Sequence, residues 1–149
     1  MKILDFAIDV EQAEQDLYFR LAKCSSDKTI TAIFQMIATK ERVLLDKLRK
    51  LKKDPNHCRL EISRMPQHEQ ISKNKHANCE LLGQHEIRHD LSSYSYILRT
   101  EQLVFNLYAK LRESVSDLES QSLLDLLLTE KRQEISRIST LYDVARVVH

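Results

Sequence analysis

The feature that most constrains this chain is a repeat. Residues 11–18 run Glu11-Gln-Ala-Glu-Gln-Asp-Leu-Tyr18, and ninety residues on the chain reads Glu101-Gln-Leu-Val-Phe-Asn-Leu-Tyr108. In both copies a Leu follows three residues after the Tyr, as Leu21 and Leu111. Each copy has a second glutamate downstream: Glu41 lies 30 residues after Glu11, and Glu130 lies 29 after Glu101. A repeat of this kind is a structural unit used twice and has to be recognised before the fold is judged.

The midpoint of each glutamate pair falls among turn residues. The first is Ser26, within Cys24-Ser25-Ser26-Asp27; the second lies between Val115 and Ser116. Residues equidistant from the turn of an antiparallel helical hairpin lie level with each other. Glu11 is then expected to face Glu41, and Glu101 to face Glu130, roughly 22 Å from the turns at about 1.5 Å rise per residue. The four carboxylates are expected to converge at one level inside a bundle.

The flanking patterns are helical. From Ile3 to Lys23, the residues Leu4, Ala7, Ile8, Glu11, Glu14, Tyr18 and Leu21 share one face at 3.6-residue spacing. Ser26 or Asp27 is placed to cap the next helix, whose stripe is Ile30, Ile33, Phe34, Ile37, Ala38, Glu41, Leu44, Leu45, Leu48 and Leu51. Glu41 is its one charged member. Lys52, Lys53 and Asp54-Pro55 end it, with cations at the negative end of the helix dipole. The spacing predicts a third helix over 90–114, with Tyr94, Ile97, Leu98, Glu101, Val104, Phe105, Tyr108 and Leu111 inward. Ser116-Asp-Leu-Glu119 reads as a capping box opening the fourth. The inner face there reads Leu123, Leu126, Leu127, Glu130, Glu134, Ile138, Leu141 and Ala145. A second apolar line of Leu124, Leu128, Ile135 and Tyr142 is more than one core needs and points to a homo-oligomer through this helix.

At 149 residues the chain suffices for one domain with a real core. One Gly and two Pro fit an all-α protein. A formal net charge of +1 gives no global field for nucleic acid, and no apolar run reaches the length of a membrane span. Three cysteines fit a reducing cytoplasm better than a disulfide framework.

Residues 54–89 interrupt the helical pattern as a long crossover between the hairpins. They hold both prolines, Gly83 and five of the six histidines, and a short helix is expected around Glu80–Leu82. His57, Cys58, His76 and Cys79 contain the donors for a zinc site, but their spacing matches no standard finger; a solvated polar connection is the competing reading.

Two hairpins, a long crossover and one inward glutamate per helix resemble the ferritin-like superfamily, and the rubrerythrin-type domain within it. The likeness spans nearly the whole of 1–149 as a single domain. It rests on Ala7-Ile8-x-x-Glu11, Leu17-Tyr18, Leu21-Ala22 and Ala38-x-x-Glu41. The resemblance implies a four-helix bundle with a dinuclear iron or manganese site, built from a lone Glu on two helices and Glu-x-x-His on the other two. Glu11 and Glu101 would take the lone-Glu places, and Glu41 and Glu130 the first places of Glu-x-x-His. Glu14, three residues after Glu11, matches an extra carboxylate of the rubrerythrin type; Val104 stands at the equivalent place in the second half.

The chain departs from that pattern where the histidines belong. Leu44 and Gln133 stand in their places, and Gln133 and Glu134 are the candidate substitute ligands. The C-terminal iron-binding cysteine pairs of full rubrerythrin are absent, so redox chemistry would require an external electron donor. All-oxygen ligation suits Mn, Mg or Ca better than an imidazole-containing site does. Tyr18 and Tyr108 fit either hydrogen-bonding to ligand carboxylates or ordinary core packing. Two functions follow. One is a carboxylate-rich divalent-metal protein with residual oxidoreductase or peroxide chemistry. The other is a degenerate bundle serving as an oligomeric binding or scaffold module.

Overall fold

A computed structural model describes residues 2–54 and 90–148. Four helices hold nearly all of them: α1 (Lys2–Cys24), α2 (Lys28–Lys53), α3 (Asp90–Ser114) and α4 (Leu118–Val148). There is no strand among the described residues. The helices pair as α1 with α2 and α3 with α4, and each pair forms its own compact unit. The described residues are therefore all-α, built as two helical hairpins. The crossover, with its histidines, Cys58 and Cys79, lies outside the described residues. No described helix is long and apolar enough to cross a membrane.

In each hairpin three residues join the helices, 25–27 and 115–117. The turns close in matching ways. Asp27 caps α2 by accepting a hydrogen bond from the Ile30 amide at 3.0 Å. Asp117 caps α4 by accepting one from the Ser120 amide at 2.9 Å. These two bonds satisfy amides that the first turn of a helix leaves without intrahelical acceptors. The Asp117 carboxyl is held below the usual carboxylate range, chiefly by its bonds to Ser120. The capping position expected at Ser116 therefore falls one residue later, because the aspartate reaches the amide three residues on. Behind each cap a polar side chain ties back to the preceding turn. The Thr31 hydroxyl donates to the Ser25 carbonyl at 3.3 Å, and the Gln121 amide donates to the Val115 carbonyl at 3.2 Å.

We expect Asp27→Ala to cost about 1 kcal/mol of stability, the usual cost of removing an N-cap side chain. Urea unfolding would read it as a lower midpoint at unchanged slope. A midpoint equal to that of the parent would show that the cap contributes nothing to the hairpin.

The first hairpin buries an unbroken stripe. Ile30, Phe34, Ile37, Ala38, Leu45 and Leu48 of α2 are fully buried, as are Ala7 and Tyr18 of α1. The ring of Tyr18 stacks on Phe34 with centroids 6.2 Å apart. Beyond the core, Lys52 pairs with Asp5 at 2.6 Å and Arg49 bonds to Gln12, linking the helices at the end away from the turn. After Lys53, the amide of Asp54 donates to Lys50, and a proline follows in sequence.

The second hairpin buries Tyr94, Ile97 and Tyr108 of α3 against Leu123, Leu124, Leu127 and Ile138 of α4. Its inward face on α4 keeps Leu123, Leu127, Glu134 and Ile138 of the sequence expectation and departs from it at neighbouring positions. Leu124, placed on an outer line by its spacing, is fully buried, whereas Leu126 and Glu130 are half-buried. Leu128, Ile135 and Tyr142 are half-buried as well. Tyr142 meets Tyr94 edge-on at 5.9 Å within the same hairpin. Cys24, the last residue of α1, is disulfide-bonded. An odd cysteine count does not preclude one such pair.

Candidate metal centre

A helix two turns beyond a fixed cap presents its side chains at a predictable level. In the first hairpin the Asp27 cap and the stacked Tyr18–Phe34 pair set the register of α1 against α2. Moving away from the turn along the same faces, Glu14 lies four residues before Tyr18, Glu11 lies three before that, and Glu41 lies seven after Phe34. These three side chains meet. Glu11, Glu14 and Glu41 each offer a carboxylate oxygen, and the three oxygens lie within 4.8 Å of one another. Relative exposures are 0%, 4% and 4%. Leu44, at the place of an expected histidine, is buried and apolar.

Carboxylates this close in a dry interior are costly. At an effective dielectric of ~20 each pair of unit charges at this separation repels by about 3–4 kcal/mol. Burial adds a desolvation cost of several kcal/mol per ion. The arrangement is stable only with positive charge or shared protons among the oxygens. Three hard oxygen donors around one point are a ligand set for a hard divalent ion such as Mn, Mg or Ca, and they accept ferrous iron as well. The residues of the first hairpin thus fit a divalent metal.

The second hairpin is organised differently. Corresponding residues of the two hairpins are offset by ninety throughout: Glu11 and Glu101, Tyr18 and Tyr108, Asp27 and Asp117, Thr31 and Gln121. Burial follows the same offset on the second helix of each. Ile30, Ile33, Phe34 and Ile37 are matched by buried Ser120, Leu123, Leu124 and Leu127. Carried forward, this register places Lys131, not Glu130, opposite Glu101 where Glu41 stands opposite Glu11. Lys131 is buried, and its ammonium lies 3.4 Å from the Glu101 carboxylate; the two side chains are 2% and 0% exposed. The position matching Leu44 is Glu134, also buried, with the guanidinium of Arg137 at 3.6 Å. Glu130 and Gln133 are half-buried on the flanks.

Residue spacing points to Glu11, Glu14, Glu41, Glu101 and Glu134 at these two places and misses Lys131. A signal was available: the ninety-residue offset of the Glu–Tyr motif, carried through the two capping aspartates, leads to position 131. Tyr18 and Tyr108 are both fully buried, and Tyr18 has its place in the core against Phe34. No protein-family model, no curated protein and no solved structure matches the chain.

Proposed function

We propose that this protein binds a divalent metal ion through Glu11, Glu14 and Glu41, in a helical scaffold similar to the rubrerythrin type of ferritin-like proteins. The observation that carries this reading is the convergence of three buried carboxylates within 4.8 Å. Iron or manganese, once bound, supplies Lewis-acid and one-electron chemistry there; electrons would come from an external donor. What the chain's own residues do is narrower. The three glutamates hold the ion, and Leu44 with the buried stripe of α2 keeps water from the ligand oxygens.

Metal is expected to raise the melting temperature. A ligand present at about 100 times its Kd and binding only the folded state adds roughly 2.7 kcal/mol, or about 5–10 °C for a chain of this size. The check is thermal unfolding after chelation, with Mn, Fe(II), Zn, Mg or Ca restored one at a time. Glu41→Gln should abolish the shift, while Glu130→Gln should keep it. No shift with any of the five ions would sink the metal reading.

A second reading has one observation in its favour. The ion pair of Glu101 with Lys131 neutralises the second hairpin internally, as expected of a bundle that has left metal chemistry behind and serves as a binding or scaffold module. The same experiment separates the two, since a scaffold predicts melting curves indifferent to metal.

A further inference from the structure

We propose that Lys131 is a built-in replacement for a metal ion, so that the chain binds one divalent ion and not the two that its duplicated architecture suggests. The inference rests on the metal reading of the first hairpin and adds its stoichiometry. Both hairpins have a three-residue turn, an aspartate cap bonded to the third amide of the next helix, and an inward glutamate sixteen residues before that cap. Fourteen residues after the cap the first hairpin has buried Glu41 and the second has buried Lys131. The substitution therefore occurs at one structural place and reverses its charge.

The consequence is local and electrostatic. In the first hairpin the place opposite the lone glutamate adds a negative charge, and three carboxylates share one small volume. In the second, the same place delivers an ammonium to within 3.4 Å of Glu101. Val104 stands where the first hairpin has Glu14, and buried Glu134 stands where it has Leu44, so the second hairpin keeps Glu101 and Glu134 as its buried acids. The remaining carboxylate, Glu134, has Arg137 beside it. A divalent cation entering this hairpin would meet a buried monocation at the ligand position, in a setting of low dielectric where like charges repel strongly. Lysine is rarely buried unless it is paired. Its burial here is accounted for by the glutamate that it faces.

The test counts ions. Mn(II) is titrated into chelator-treated protein, and free Mn(II) is followed by its electron paramagnetic resonance signal. One ion per chain is expected. Glu101→Gln should leave both the count and the affinity within about twofold of the parent, whereas Glu41→Gln should remove the bound ion. Lys131→Glu, which places a carboxylate at the position matching Glu41, should raise the count to two, with circular dichroism verifying that the helices persist. Two ions on the parent protein would overturn the proposal and leave the metal reading standing. So would loss of the single ion in Glu101→Gln, or a folded Lys131→Glu that still binds one. No ion on the parent would overturn the count together with the metal reading. Should Lys131→Glu fail to fold, the parent and Glu101→Gln measurements decide by themselves.

Discussion

Lys131→Met is expected to destabilise the protein by about 3–5 kcal/mol, the usual cost of removing one partner from a buried ion pair. The substitution keeps the length and apolar stem of the side chain and removes the ammonium. Glu101, fully buried, would then face the interior without the cation 3.4 Å from it. The reverse substitution is less severe, because a lysine stem can extend toward solvent and carry its charge there. Replacing both partners by apolar residues is different in sign. A buried pair can be exchanged for well-packed hydrophobic groups at little cost and sometimes with a gain, so Glu101→Leu with Lys131→Met should recover most of the loss. Urea unfolding of the parent, both single variants and the double variant forms a cycle whose coupling energy reads the pair directly. A Lys131→Met variant within about 1 kcal/mol of the parent, below the 3–5 kcal/mol typical of broken buried pairs, would show that the ammonium is not what makes Glu101 tolerable.

Phe34→Ala should cost a similar amount, about 3–5 kcal/mol, by the combined loss of buried surface and the cavity left behind. Phe34 is fully buried and stacks on Tyr18, so the cavity opens at the joint between α1 and α2. The effect should extend to the candidate site. Glu41 follows Phe34 by two turns on α2, and Glu11 precedes Tyr18 by two turns on α1. Loosening the stack lets the carboxylates drift relative to one another, so Mn(II) affinity should fall alongside stability. Phe34→Leu is the control. Leucine occupies the matching buried place in the second hairpin, at Leu124, and should cost less in both measurements. An Ala variant that loses stability but binds Mn(II) as the parent does would show that the stack supports the hairpin without setting the spacing of the carboxylates.

Much of this architecture was legible from residue spacing. The helices, their approximate ends and the two turns follow from 3.6-residue periodicity, a single glycine and the aspartates before α2 and α4, all of which act within a few residues of one another. Local rules reach that far. They also put Glu11, Glu14 and Glu41 on inward stripes. What they did not decide was which neighbouring residues complete the inward face of α4. Each residue turns a helix by about 100°, so a register one residue different moves a side chain from the interior to the flank. The spacing of 29 against 30 leaves Glu130 one residue short of the place matching Glu41, where Lys131 stands; matching glutamate to glutamate points to Glu130, so the two neighbours are in competition for one inward place. The packed hairpin resolves that competition. It turns Leu124, Leu127 and Lys131 inward together, and it holds Glu101 from the other helix close enough to neutralise the ammonium. That proximity joins residues thirty apart in sequence and exists only once α3 and α4 have packed, which is why a lysine that looks like a surface residue in the sequence is an interior one in the fold.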